Sequence, residues 1–205
     1  MCFYPYEIAD FKKNKNIFYL MGVNRANYLS ERINTMDQSQ TTPLKIAFPP
    51  IVDTNCRVLL LGTMPGERSL RLQQYYGHAG NHFWKLIYTL FGEPVEPLYE
   101  ARKSFLLHHE IALWDVLESC TCEGSLDSNI KNEVVNNFAA FYKQYPAITH
   151  VFFDSKKAEQ FYLKYVKKSD GKSYHSLPSP SRANASKSFE QKLEAWKELL
   201  LYVKR

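Results

Sequence analysis

Three short segments of the chain concentrate residues able to do chemistry. The first is Gly62-Thr63-Met64-Pro65-Gly66. Its two glycines let the backbone approach a ligand closely and Pro65 fixes one dihedral between them, so N–H groups there can hold an anion or a polar edge. The spacing and the Lys-Ser/Thr ending of a P-loop are missing. The second is Tyr75-Tyr76-Gly77-His78-Ala79-Gly80-Asn81-His82-Phe83-Trp84, an aromatic pair and a flexible turn before Asn81 opens a helix. From spacing alone Asn81 reads as an N-cap, Tyr76 as core packing, and His78 and His82 as surface or structural histidines. The third is Leu177-Pro178-Ser179-Pro180-Ser181-Arg182-Ala183-Asn184-Ala185, where two prolines among serines make a rigid, exposed loop. Such a loop either leads into the last helix or presses on a nucleic-acid backbone.

The elements around these segments alternate in type. Arg57-Val58-Leu59-Leu60-Leu61 is an apolar run ending at Gly62, the pattern of a buried strand. Ile111 to Val116, Thr149 to Phe153 and Ser173 to Leu177 supply three further strand candidates. Helices are expected over Phe83 to Phe91, from an Asp127 or Ser128 cap to about Tyr145, over Lys156 to Val166, and over Ser186 to Tyr202. The last is amphipathic, with Phe189, Leu193, Trp196 and Leu200 on one side. Alternation of this kind implies an α/β protein, a three-layer α/β/α sandwich around a mostly parallel four-stranded sheet. Ligands in such sheets bind beyond the carboxyl ends of the strands, here after Leu61, Phe153 and Leu177.

With 205 residues, the chain has room for one domain with a real core. We place that domain at residues 44–205. Residues 1–43 show no sustained period and close on a polar Gln38-Ser39-Gln40-Thr41-Thr42, so they read as an N-terminal extension or loosely packed arm, with Met36 an alternative start. A net charge of +5 is too mild to name a partner, but basic residues cluster between Lys156 and Lys187, opposed there only by Glu159 and Asp170. That run reads as a solvated helix face or a phosphate-tracking surface. Aromatic residues make up 15% of the chain, most of them core and a few available to stack on bases. Cys2, Cys56, Cys120 and Cys122 lack zinc or iron–sulfur spacing and read as reduced thiols of an intracellular protein, so neither metal nor cofactor is expected. No apolar run approaches membrane-spanning length. The short stretch Ile17 to Val23 follows three lysines but is not followed by a small-residue cleavage site, which argues against secretion.

The three segments occur in the order found in the uracil-DNA glycosylase superfamily. Gly62 to Gly66, Tyr75-Tyr76-Gly77-His78 and Asn81-His82-Phe83-Trp84 resemble its mismatch-specific and deoxyinosine (hypoxanthine) branches. Leu113-Trp114-Asp115-Val116-Leu117, Gly124-Ser125-Leu126-Asp127-Ser128-Asn129-Ile130 and the Leu177 to Ala185 string are similar to the deoxyinosine branch in particular, and the likeness runs from about Pro43 to Tyr202. It implies a monofunctional DNA N-glycosylase, acting as an intracellular monomer on damaged DNA. Such an enzyme flips a deaminated base, hypoxanthine favoured, and hydrolyses its N-glycosidic bond through an oxocarbenium-like transition state, leaving an abasic site.

Residue by residue, the resemblance gives Asn81 the role of orienting the water, since Met64 stands where many members place a water-activating Asp or Asn. Tyr76 matches the aromatic that stacks on the flipped base, and the backbone of Thr63 and Met64 is expected at the base edge. Ser179, Pro180, Ser181 and Arg182 are expected on DNA, the serines on phosphate oxygens and Arg182 in the gap or on a phosphate. Leu177 replaces a histidine common in the uracil enzymes. Asp154-Ser155 stands where the branch has Asn-Gly, and an ionised carboxylate can only accept where an amide both donates and accepts. Altered base preference or weaker activity is therefore expected. Alternatives are a uracil or mismatch glycosylase, a catalytically weak damage-binding protein, or a doubly wound nucleotide-binding hydrolase outside DNA repair.

Overall fold

The computed structural model describes residues 43–166, 168 and 171–203. All but the last residue of the expected extension at 1–43, including Cys2 and Met36, lies outside these. In chain order the elements are β1 (Leu44–Ile46), β2 (Val58–Gly62), α1 (Glu67–Leu72), α2 (Phe83–Phe91), α3 (Tyr99–His108), β3 (Ile111–Asp115), β4 (Leu117–Thr121), β5 (Lys131–Val135), α4 (Phe138–Gln144), β6 (His150–Phe153), α5 (Lys156–Tyr165), β7 (Ser173–Ser176) and α6 (Phe189–Trp196).

Strand β2 is buried along its whole length. It pairs in parallel with β3 on one side and β6 on the other, and β7 extends the sheet in parallel beyond β6. Successive side chains of a strand point to opposite faces, so β2 feeds two cores at once. Leu59 and Leu61 pack with Phe138 and Phe141 of α4 and with Phe161 and Tyr162 of α5. Val58 and Leu60 pack with Phe83 and Ile87 of α2, Leu106 of α3 and Trp196 of α6. The expected three-layer α/β/α sandwich around a four-stranded parallel sheet is the fold.

The stretch from Asp127 to Tyr145 is not the single helix expected from its cap signals. Asp127–Asn129 forms one 3-10 turn, Lys131–Val135 becomes strand β5, and α4 starts only at Phe138. The β-branched pair Val134-Val135 favours the extended chain. Asn137 is the true cap, its side chain accepting from Ala140 N at 3.0 Å. Strand β5 joins β4 and β1 in a second, antiparallel sheet of order β1-β4-β5, which the short and weakly alternating sequences did not announce. The closing helix is also shorter than its apolar stripe. Ser188 and Gln191 form a capping box at its start, and after Trp196 it tightens into a 3-10 turn over Lys197–Leu201.

This topology opens a crevice. The chain leaves β2 to lay β3 on one flank and later β6 on the other, so the connections from the carboxyl ends of adjacent strands run in opposite directions. Gly62 ends β2, Asp115 ends β3 and Asp154 follows β6, all at that edge. Leu60 is 0% exposed at the centre of both the sheet and one core. Leu60→Ala should cost about 2–5 kcal/mol of stability. Urea unfolding should show a lower midpoint with an unchanged slope, and a loss below about 1 kcal/mol would contradict this packing.

Candidate active site

Gly62 sits where three elements meet. Its carbonyl and that of Thr63 accept from the N–H groups of Val116 and Leu117 at 2.8 and 3.1 Å, tying the end of β2 to the β3–β4 corner. A Cβ on Gly62 would lie 2.5 Å from Asp115 Oδ1 and 3.1 Å from Tyr76 Oη, so only glycine lets a carboxyl and a phenol cross this backbone. Thr63 is buried, and its hydroxyl donates to Asp127 Oδ2 at 2.9 Å. Met64, Pro65 and Gly66 continue along the wall of the cleft.

Tyr76 adopts φ 51°, a left-handed backbone that costs a bulky residue about 1–3 kcal/mol unless the surroundings hold it. They do so at both ends of the ring. The ring stacks on Phe83 with centroids 3.8 Å apart and planes 8° from parallel. Its hydroxyl donates to Asp154 Oδ2 at 2.8 Å. Phe83 thus takes one face of the half-buried ring, while Tyr76 also lines the cleft. Core packing accounts for only part of this residue. Tyr75 is the more deeply buried member of the pair, packed against Phe48 and accepting from Trp84 Nε1 at its carbonyl, 3.0 Å away.

Asn81 lines the same cleft. Its Oδ1 accepts from Phe83 N, the first amide of α2, at 2.9 Å. The capping reading is therefore right in chemistry, although His82 occupies the cap position itself. The amide keeps a second lone pair and its two Nδ2 hydrogens for a water or ligand. His78 is exposed and accepts from Gly80 N at Nδ1, a turn-making role.

The proline-serine loop is held from beneath. Pro178 O accepts from Trp196 Nε1 at 2.9 Å, Pro180 O from His82 N at 3.0 Å and Ser181 O from Lys192 Nζ at 3.0 Å. Lys192 is 1% exposed, and burial lowers its pKa. Ser179 and Ser181 accept from the backbone N–H groups of Ser181 and Ala183, so both serines already brace the loop. The Arg182 side chain lies over Gly80, where a Cβ would collide with its Cδ. Ser179, Pro180, Ser181 and Arg182 all face the cleft. Parts of the basic run are spoken for elsewhere: Lys164 pairs with Glu133 at 2.7 Å, and Lys172 donates to the Ile148 carbonyl.

Three carboxyls converge on this cleft of about 580 Å³. Asp154 is 6% exposed, and burial pushes its pKa up to about 7, with Asp127 adding to the rise and hydrogen bonds from Tyr76 and Ser155 restraining it. Asp115 is 4% exposed and is raised well above the usual carboxylate range by burial, then by Asp154 and Asp127. Asp127 is raised by burial and held back by the Thr63 hydroxyl and Lys157. Asp115 Oδ2 has no hydrogen-bond partner among the described residues. Such a site stabilises neutral acids that can donate as well as accept. Among the described residues no group of His, Cys, Asp and Glu could hold a metal ion.

Every site residue expected from the sequence lies on this cleft. Sequence reasoning missed Asp115 and Asp127 as site members, and Lys192 and Trp196 as loop anchors. An acid closing the apolar run Ile111-Ala112-Leu113-Trp114, at the ligand-binding edge of a parallel sheet, was the signal for Asp115. Asp127 lay hidden under the helix wrongly expected there.

Comparison with known proteins matches the geometry to a family. The Uracil DNA glycosylase superfamily model matches residues 49–200. A relative named Hypoxanthine DNA glycosylase from Methanosarcina acetivorans is 35% identical over 153 residues, 74% of this chain and 94% of the relative. A relative of the same name from Methanosarcina barkeri is 36% identical over 155 residues, 75% of this chain and 96% of the relative. A solution NMR structure from Methanosarcina acetivorans, with a provisional designation as a uracil DNA glycosylase, superposes with a TM-score of 0.66 at 34% identity, covering 77% of this chain and 99% of that one. The chain belongs to the uracil DNA glycosylase superfamily.

Proposed function

We propose that the chain is a monofunctional DNA N-glycosylase that extrudes hypoxanthine from damaged DNA and hydrolyses its N-glycosidic bond to leave an abasic site. It acts as a monomer inside the cell. The observation that carries this reading is the convergence of Asn81, Tyr76 and Asp154 on one cleft beside the Arg182 loop. The names of the two archaeal relatives support the same substrate. An extruded purine stacks on Tyr76, Asn81 orients the water toward the sugar carbon, and Arg182 with the serine loop engages the strand that the base has left.

Asp154 fits this role because it is not an ordinary carboxylate. Tyr76 donates to its Oδ2, so a proton on the acid sits on Oδ1. The neutral acid then offers one donor and one acceptor side by side, the pattern needed for the O6 and N1–H of hypoxanthine. An amide in its place would offer the same pattern at every pH. Uracil presents a similar edge, which makes it the second substrate to try.

Strand nicking after alkali, on duplexes carrying hypoxanthine, uracil or xanthine, tests the activity. Wild type should cut the hypoxanthine strand, and Asn81→Ala should lose about 100-fold or more. Intact strands with tight binding would favour a damage reader without catalysis.

The acid's titration gives a second test. With its folded pKa raised from 3.8 to about 7, Asp154 contributes stability fully present below about pH 4 and lost as pH rises through about 7. Asp154→Asn removes that dependence, so its Tm advantage over wild type should grow from pH 5 to pH 8. Above pH 7 the ionised acid repels O6, and Asp154→Asn should excise deoxyinosine about 10-fold faster or more. Equal rates at pH 8 would refute this role.

A further inference from the structure

Hydrolysis of a purine nucleoside needs something to stabilise the departing base, and several residues near the cleft do not offer it. Leu177 is apolar and buried. His175 is fully engaged away from the cleft, Nδ1 with Glu198 at 2.7 Å and Nε2 with Ser173 Oγ at 2.9 Å, its ring stacked on Phe152. Lys192 is spent on the Ser181 carbonyl. Asp154 shares its Oδ2 with Tyr76.

Asp115 is the group left over. It lines the cleft, is 4% exposed and holds an Oδ2 with no partner among the described residues. Its main chain is fixed by β3 pairing and by Asn136 Nδ2, which donates to the Asp115 carbonyl at 2.9 Å. The groups facing it are Tyr75 and Tyr76 from the loop after α1, Tyr99 at the start of α3, Asp127 from the 3-10 turn and Asp154 after β6. None is a cation, and burial raises the Asp115 carboxyl well above the usual carboxylate range, which favours its neutral form. The Asp115 and Asp154 carboxyls approach Gly62 from either side: a Cβ there would lie 2.5 Å from Asp115 Oδ1 and 3.1 Å from Tyr76 Oη, the hydroxyl that donates to Asp154 Oδ2 at 2.8 Å. O6 and N7 lie side by side on one edge of hypoxanthine, so with O6 and N1–H turned to Asp154, N7 faces Asp115.

Resting on the glycosylase reading above, we propose that Asp115 is the general acid of the reaction, donating its proton to N7 of the extruded hypoxanthine. As the C1′–N9 bond breaks, its electron pair stays with the base, which leaves neutral with the new proton on N7. Water held by Asn81 adds to C1′, and the proton it loses returns through solvent to the Asp115 carboxylate. The products are an abasic deoxyribose and hypoxanthine, with one water consumed.

Single-turnover cleavage of 2′-deoxyinosine and 7-deaza-2′-deoxyinosine duplexes by wild type and Asp115→Asn tests this, beside thermal melts and DNA-binding titrations of both proteins. The amide keeps the size and a hydrogen-bond donor but has no proton to transfer. We expect Asp115→Asn to lose about 100-fold or more on deoxyinosine with binding retained, wild type to lose a comparable factor on the 7-deaza substrate, and the two changes together to cost no more than either alone. Asp115→Asn within about 3-fold of wild type on deoxyinosine overturns the proposal. So do losses that multiply, and so does undiminished wild-type cleavage of the 7-deaza substrate, an arm that needs no folded variant. Wild type that leaves deoxyinosine intact overturns the glycosylase reading itself, a different failure from an active wild type matched by Asp115→Asn.

Discussion

The hydroxyl of Tyr76 reaches Asp154 past Gly62, where any side chain would collide with both Tyr76 and Asp115. That hydrogen bond makes the cleft what it is. It holds an aromatic ring in a left-handed backbone that the ring would not choose alone. It leaves one ring face to Phe83 and turns the residue toward a space of nucleobase size. In the proposed reading it also leaves Asp154 Oδ1 to carry the proton that a base would meet. The parallel sheet supplies the frame by ending its strands on either side of one glycine.

Burying two carboxyls and half-burying a third at one edge of a small domain opposes stability, because a buried acid must stay neutral or lose its solvation when ionised. The fold offsets that cost with two aromatic-rich cores packed on β2. It also places the acids where the chemistry benefits. A carboxyl that rests neutral near neutral pH can donate to a lactam oxygen or protonate a leaving group, which an exposed aspartate cannot do. In the proposed reading, Asp154 in place of the amide expected from the resemblance would exchange a pH-independent reader for a titrating one. The substitution that looked damaging in the sequence becomes intelligible once its burial is known.

Much of the frame was legible in the sequence, for physical reasons. Val58 to Leu61 and Thr149 to Phe153 are continuous apolar runs that only buried strands accommodate, and Phe83 to Phe91 has a helix's apolar stripe between an Asx residue and a glycine. The ordered motifs then placed Asn81, Tyr76 and the serine loop on one cleft. The second sheet was not legible, because Leu44–Ile46 and Lys131–Val135 bury few side chains, and the first owes its form to a partner far along the chain. Misreading Asp127 as a helix cap concealed its hydrogen bond to Thr63, a contact between residues 64 positions apart. The burial of Lys192 beneath Ser181 shows only in the fold, because lysines are seldom buried and nothing in its spacing marks it.

The most direct measurement is a crystal structure of Asn81→Ala, slowed enough to trap the intact substrate, on a duplex with one deoxyinosine. Hypoxanthine should be found outside the helix, against the face of Tyr76 away from Phe83, with O6 and N1–H on Asp154 and N7 on Asp115. A base still stacked in the duplex, or one extruded elsewhere with the Gly62 cleft empty, would contradict the central claim that this switch point is a reader of deaminated purines.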